Sequence, residues 1–329
     1  MINNQIKIAV IGLGSMGKRR IRLLQKLRPN CSICGIDQKL ERRENAESSF
    51  KITTYETLAQ CLKEFEPEMA FVSASPLAHY AITRECAESG IHVFSEINLL
   101  NENHDNLLKI SKGHGRTLFL SSTPKYRKEM QFVTERIRAL RAPITYSYHV
   151  GQYLPDWHPW EKFNDFFVSD KRTNGCREVF AIELPWIIDA FGEIREFHVT
   201  KQNISSLKID FPDTYSVCFK HENGNVGNII FDVVASPAVR EMRIIGDGFR
   251  LDWNGTPETM YISENGTEMK NVKLYDAIDR DENYNTSIIE NMYEEEIKNF
   301  FDVVSGKAEP KHTFEKDIKV LELIDRIEA

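Results

Sequence analysis

Over the first third of the chain, short apolar and β-branched runs alternate with stretches of helical period, a pattern that predicts parallel strands joined by crossover helices. The strand runs fall at residues 6–11, 32–37, 52–55, 69–75, 92–96 and 118–122, and the helical stretches at 16–27, 55–65, 77–89 and 103–113. Strands and helices in this order wind into a doubly wound sheet. After Thr123 the texture changes. A charged amphipathic helix at 125–141 precedes an aromatic strand and loop at 144–160, and an apolar helix occupies 179–191. From Glu193 onward, strands at 195–204, 214–221, 225–234, 240–253 and 260–263 follow one another without intervening helices, some of them separated by the turns Glu222-Asn223-Gly224 and Asn265-Gly266. Serial strands with such turns predict an antiparallel sheet. Helices at 287–304 and 314–327 close the chain, the second capped by Thr313. The fold class is therefore α/β: a Rossmann-type doubly wound parallel sheet at 1–123, then an α+β domain at 124–329 on an open antiparallel sheet. Helix 314–327 is placed to pack back on the first domain.

Composition narrows the functions this fold can carry. The 329 residues are 41% hydrophobic, enough for two domains with cores, and the formal net charge of -7 disfavours nucleic acid and acidic membrane surfaces as partners. No run approaches the roughly 18 apolar residues of a membrane span. The N-terminus lacks the pattern of a secretory signal, so a cytoplasmic protein is expected. Six cysteines are too sparse for a disulfide scaffold, and reduced thiols are expected. Cys31 and Cys34 have CxxC spacing, but three-apart residues on a strand face opposite ways and no second pair exists, so no metal site is expected.

The chemistry concentrates at Gly12-Leu13-Gly14-Ser15-Met16-Gly17, which follows a strand, opens a helix and is followed about 20 residues later by Asp37 at a strand end. In this context Gly12 makes the tight turn, Gly14 admits a pyrophosphate and Gly17 allows close helix packing, with Ser15 and Met16 at the helix N-terminus where anions are favoured. Asp37 would accept the adenosine ribose hydroxyls and repel a 2′-phosphate, so NAD is expected over NADP. Lys39, Arg42 and Arg43 read as a solvated helix face, with a phosphate partner as the alternative. Lys18, Arg19 and Arg20 read likewise, and their charge would assist the pyrophosphate.

The order of these motifs resembles the Gfo/Idh/MocA oxidoreductases over nearly the whole chain. Ser75-Pro76-Leu77-Ala78-His79 is similar to that family's turn after the fourth strand, and His92-Val93-Phe94-Ser95-Glu96 to the strand leading into its Glu-Lys-Pro motif. The resemblance implies cofactor contacts by Ser75, His79 and Glu96. It also implies a homo-oligomer through the C-terminal sheet and a sugar, polyol or nucleotide-sugar substrate. Two departures stand out. Glu96-Ile97-Asn98 lacks the family's lysine, and Cys176-Arg177-Glu178-Val179-Phe180-Ala181-Ile182-Glu183-Leu184-Pro185-Trp186 lacks its histidine. A gap-free alignment puts Ile182 at the histidine position and a one-residue shift puts Glu183 there.

A carboxylate amid Phe180, Ile182, Leu184 and Trp186 is costly to bury unpaired, which makes Glu183 a candidate acid or base, or else the partner of an arginine such as Arg177. Glu178 and Lys125 are further catalytic candidates, with His149 or His158 as other replacements for the missing cation. In the loop Gly151 to Trp160, Tyr153, Trp157 and His158, together with Arg177, suit the mixed apolar and hydroxyl surface of a sugar. The leading expectation is an NAD-dependent oxidoreductase moving a hydride at a secondary hydroxyl or ketone. The alternatives are an NAD-retaining lyase or hydrolase acting by transient oxidation, and a non-catalytic NAD-responsive binding protein.

Overall fold

The computed structural model describes residues 5–157, 162–165, 167–281 and 288–329. They form two compact units, Met1–Ser122 with Tyr293–Leu321 and Thr123–Met292 with Glu322–Ala329. Residues 293–321, which the sequence pattern assigns to the second domain, thus pack with the first.

In the first unit, β1 (Lys7–Ile11), β2 (Ser32–Ile36), β3 (Thr53–Tyr55), β4 (Met69–Val72), β5 (His92–Ser95) and β6 (Leu118–Leu120) form one sheet in the order β3-β2-β1-β4-β5-β6. Every pairing in it is parallel. The crossovers are α1 (Ser15–Leu27), α2 (Leu40–Phe50), α3 (Leu58–Glu64), α4 (His79–Glu88) and α5 (His104–Gly113). All but α2 follow the hydrophobic pattern. Helix α2 buries only Ala46, so it has no apolar stripe from which a helical period could be read.

Both faces of this sheet are covered. On one, Phe71, Phe94 and Phe119 of adjacent strands stack with centroids 4.7 and 5.1 Å apart, and Phe300 presents its edge to all three at 5.3 to 5.6 Å. On the other, Cys34, Ile36, Ala70, Val72 and Val93 pack against Leu58 and Cys61 of α3 and Cys86 of α4.

The expectation of a solvated basic face after the glycine loop is corrected at two positions. Arg19 is buried with its guanidinium 4.4 Å from the Tyr293 ring, and Arg20 is fully buried over Phe94. Arg20 Nε and Nη2 donate to the two Glu96 oxygens at 2.6 and 2.9 Å, and Nη2 also donates to Glu296 at 2.8 Å. Glu296 in turn accepts from the Ser121 hydroxyl and the Ser122 amide. Burial pushes the Glu296 carboxyl up from its ordinary value, against the pull of Arg20. Burial also works against the Arg20 charge, but Glu96 and Glu296 outweigh it and raise the guanidinium further.

The second unit contains α6 (Lys128–Ala139), β7 (Thr145–Gly151), α7 (Gly175–Phe191), β8 (Ile194–Gln202), β9 (Thr214–His221), β10 (Val226–Asp232), β11 (Val239–Gly246), β12 (Phe249–Trp253), β13 (Met260–Glu264) and β14 (Lys270–Asn271). The sheet order is β14-β13-β12-β11-β7-β10-β9-β8. It is mixed rather than wholly antiparallel, because β7 and β10 pair in parallel. The run 240–253, expected as one strand, is a hairpin turning at Asp247-Gly248, where Gly248 takes φ +64°. Tyr146, Tyr148, Phe219, Ile229 and Phe231 alternate onto the buried face, while the opposite face leaves Ile230, Ile245 and Tyr261 exposed at 38, 46 and 42%.

Helices α8 (Glu290–Val304) and α9 (Phe314–Glu328) end the chain, with Phe300 and Glu296 on α8. Among the described residues no helix is long and apolar enough to cross a membrane.

Removing the Arg20 cation strands two buried carboxylates. Arg20→Met is expected to destabilise the protein by about 3–5 kcal/mol in urea unfolding. A loss below about 1 kcal/mol, the worth of a surface ion pair, would contradict this account of the first unit.

Candidate active site

The glycine loop sits where the strand order reverses, between β1 and β4. A side chain on Gly12, at φ +90°, would lie 2.6 Å from the Ser73 carbonyl oxygen and 2.8 Å from Ala74 Cα. A Cβ on Gly17 would fall on the Gly12 carbonyl. Gly14 differs from both, because the nearest atom to its missing Cβ is Arg42 Nη1 at 3.8 Å. The loop is therefore closed inward and open outward at Gly14. Helix α1 begins at the next residue with no side-chain cap and no acidic residue in its first turn, leaving its amide dipoles directed at the cradle.

Asp37 joins this site. Its Oδ2 accepts from Leu13 N at 2.9 Å and its Oδ1 from Lys39 N at 2.9 Å, so it holds the loop and retains lone pairs for hydroxyl donors. Arg42 Nη1 lies 3.7 Å from Asp37 Oδ2, and Arg43 Nη1 donates to the Asp37 carbonyl at 2.8 Å. Arg42 and Arg43 are thus drawn to Asp37 rather than forming a purely solvated face. The shaped backbone and the carboxylate at the end of β2 fit a dinucleotide.

Ser75, exposed, and His79, buried, lie in the segment after β4, and His79 Nε2 donates to the Ala74 carbonyl at 2.9 Å. Glu96 follows β5, but the expectation of a carboxylate turned to the cofactor is corrected by geometry. Both its oxygens face Arg20, and Ser73 Oγ donates to one of them at 3.3 Å.

In the second unit, Asn174 caps α7 by accepting from Arg177 N at 2.8 Å. Glu183 on this helix is fully buried. It accepts from Tyr148 Oη at 2.8 Å, Trp186 Nε1 at 2.7 Å and Arg240 Nη2 at 2.7 Å. Its cationic partner is Arg240, not Arg177. Arg177 instead reaches Asp325 at 2.6 Å and Glu328. Glu178 lies one turn from the helix start with Oε2 enclosed and without a hydrogen-bond partner, and burial pushes its carboxyl up to about 8. Glu178 is thus a carboxyl on α7 that burial raises toward neutrality.

Lys125 is buried, with Nζ 2.5 Å from Asp189. His149 Nε2 is 2.6 Å from Asp232 Oδ2, on the opposite side of the sheet from Tyr148. Tyr153 and Trp157 are half-buried; the Trp157 indole donates to the Gln152 carbonyl and lies against Gly175 at the start of α7. His158 falls outside the described residues.

Sequence reasoning missed Arg240 and Tyr148 as the partners of Glu183. The inward alternation of β7 signals Tyr148, whereas Arg240 becomes a neighbour only once β11 pairs with β7. A buried cluster of Asn98, His104, His312 and Asp317 was also missed, its members being scattered along the chain.

The six-stranded order, the glycine loop and the acidic residue at the end of β2 define a dinucleotide-binding protein of the Rossmann class. Residues 6–121 match the model of the Gfo/Idh/MocA oxidoreductase family, NAD-binding Rossmann fold. The match covers the N-terminal domain, an NAD-binding Rossmann domain of the oxidoreductase family. No curated protein matches the chain by sequence.

Solved structures share its fold over nearly their full length. An oxidoreductase from Agrobacterium radiobacter, in complex with NAD+, L-tartaric acid and magnesium, has TM-score 0.82 and 12% identity, with 98% of this chain and 95% of that one covered. The UDP-N-acetylglucosamine 3-dehydrogenase GnnA from Acidithiobacillus ferrooxidans has TM-score 0.75 and 14% identity, covering 98% and 97%. Biliverdin reductase from Synechocystis sp. PCC 6803, in complex with biliverdin and NADP+, has TM-score 0.77 and 14% identity, covering 98% of each chain.

The raised Glu178 carboxyl carries a stability signature. Its folded value lies above the ordinary 4.5, so its contribution is complete below about pH 4.5 and is lost as pH rises through about 8. Glu178→Gln cannot ionise. Its thermal midpoint should climb relative to wild type between about pH 5 and about pH 9, and parallel pH profiles for the two proteins would exclude a half-buried, proton-holding Glu178.

Proposed function

We propose that the protein is an NAD-dependent dehydrogenase or reductase acting on a secondary hydroxyl or ketone of a sugar, polyol or nucleotide sugar. The observation that carries this reading is the Asp37 carboxylate bonded to the Leu13 amide, which fixes an anionic ribose acceptor beside the glycine loop. A 2′-phosphate brought there would meet like charge, which favours NAD. The nicotinamide, when bound, supplies the hydride acceptor or donor.

The chain's own residues do the rest. Gly14, Ser15 and Met16 hold the pyrophosphate on backbone amides, Gly12 and Gly17 close the turn and seat the helix behind them, and Ser75 and His79 shape the segment after β4. Glu96 acts through Arg20 and anchors the end of β5. On α7, Glu178 keeps its proton at neutral pH and serves as the acid that protonates a ketone oxygen, or the base in the reverse direction. Glu183, held by Arg240, and Lys125, held by Asp189, position the surrounding elements. Tyr153 and Trp157 offer aromatic surface to a sugar ring. The dehydrogenase acting on UDP-N-acetylglucosamine, similar in fold, supports the substrate class.

A second reading, transient oxidation in a lyase or hydrolase, is favoured by one observation. The segment in place of Glu-Lys-Pro has Glu96 bound to Arg20 and Asn98 bound to His104 and Asp317, so it brings no proton donor of its own. Stoichiometric NADH formation with a sugar substrate would exclude that reading.

The exposed side of the second sheet supports a homo-oligomer, because Ile230, Ile245 and Tyr261 lie on one face where a second copy would cover them. The six free cysteines accord with a cytoplasmic setting.

Two measurements test these assignments. In fluorescence titrations NADH should bind at least about ten-fold more tightly than NADPH, and Asp37→Ser should narrow that ratio; equal affinities in the wild type would remove Asp37 as the ribose reader. In sedimentation velocity Ile245→Glu should shift the protein toward monomer, and an unchanged assembly would mean the copies meet elsewhere.

A further inference from the structure

Three thiols gather on one face of the first sheet. Cys34 of β2, Cys61 of α3 and Cys86 of α4 are fully buried in the same apolar cluster. Cys34 and Cys61 stand apart from the third, because their Sγ atoms lie 3.4 Å from each other, within hydrogen-bonding reach for sulfur. The bond between them raises the Cys34 thiol and holds the Cys61 thiol below its ordinary value, so Cys61 is the sulfur that ionises first. Cys86 has no such partner, and burial chiefly pushes its thiol up.

Neither sulfur is exposed, so a reagent meets them only when the fold opens locally. The elements over them are thinly held. Strand β3 is three residues long and lies at the sheet edge, and α3, which follows it, has seven residues and fully buries only Leu58 and Cys61. A helix this short has little stability of its own, and with few apolar contacts its opening costs less than unfolding of the whole unit. Opening carries Cys61 toward solvent, while Cys34 stays in β2 between β1 and β3. Closing returns Cys61 to Cys34.

We propose that Cys34 and Cys61 form a thiol oxidation site, which a small peroxide converts to an intramolecular disulfide that staples α3 to β2. The Cys61 sulfur attacks one peroxide oxygen: an S–O bond forms, the O–O bond breaks and one water leaves, giving a sulfenic acid. The Cys34 sulfur then attacks the Cys61 sulfur: the S–S bond forms, the S–O bond breaks and a second water leaves. The two thiols give up two protons and two electrons, and the peroxide is reduced to two waters. The sulfurs must close from 3.4 Å to a bond of about 2.05 Å, a movement that the short, thinly packed α3 can supply. In a reducing compartment the pair rests as thiols, and a disulfide formed there is transient. The site stands independently of the dinucleotide reading.

The experiment treats the whole reduced chain with hydrogen peroxide, alkylates the remaining thiols and maps the peptides by mass spectrometry. The expected product is a Cys34–Cys61 cross-link with two of the six free thiols consumed, reversed by dithiothreitol. The thermal midpoint of the oxidised protein should rise by roughly 5–10 °C, as expected for closing a loop of this length, and Cys34→Ala or Cys61→Ala should abolish the rise. A cross-link between other cysteines, a sulfinic or sulfonic Cys61 without a cross-link, or six intact thiols under conditions that oxidise a control dithiol overturns the proposal. The mapping is made on the wild type, so it decides even where a variant fails to fold. A Cys34–Cys61 cross-link without a rise in midpoint overturns the staple and leaves the oxidation site.

Discussion

The first unit depends on a cation that never meets solvent. Arg20 lies on the first helix three residues after Gly17 and is clasped by Glu96 at the end of β5 and Glu296 on α8. A charge of this kind is tolerated only while every partner is in place. It therefore forces three elements, distant in sequence, into one register. The helix that opens the dinucleotide cradle, the strand end that borders it and the late helix carrying Phe300 cannot shift separately. The phenylalanine stack beneath supplies the apolar burial, but apolar contacts are tolerant of sliding and do not by themselves specify position. The ion cluster supplies the specificity.

Two carboxylates on α7 show how one helix supports opposite behaviours. Glu183 is enclosed by a tyrosine, a tryptophan and an arginine, and its oxygens are fully engaged. Glu178, little more than a turn earlier, has an enclosed oxygen with no partner and holds its proton to about 8. The difference lies in neighbours rather than residue type: Glu183 is held by three hydrogen-bond donors, whereas Glu178 keeps an enclosed oxygen without one.

Much of this architecture was legible in the sequence. Each strand of the parallel sheet is visible because buried strands read as short apolar runs, and the glycine spacing with Asp37 marks the cradle. Helix α2 was not legible because it buries only Ala46. The hairpin at Asp247-Gly248 did carry its turn residues, Gly246-Asp247-Gly248, but they lie inside a run that reads as one long strand from 240 to 253. At the site, local spacing identified Gly12, Gly14, Gly17 and Asp37. It could not identify the partner of Glu183, because Arg240 reaches it only through strand pairing, nor foresee that Glu96 and Arg20 would neutralise each other. Contacts fixed by tertiary pairing leave no periodic trace in the chain.

The first unit is assembled from two stretches separated by the whole of residues 123–292. During synthesis its sixth strand emerges long before Glu296 and Phe300 exist. Until α8 arrives, Arg20 has only part of its counter-charge and the phenylalanine stack lacks its cover. The nascent sheet must therefore wait, incompletely closed, while the second unit is made. Such long-range closure is slow and exposes apolar surface in the interval. The chain consequently cannot be shortened at Ser122 to give a self-sufficient nucleotide-binding module, however complete the run of strands and glycines before that point looks.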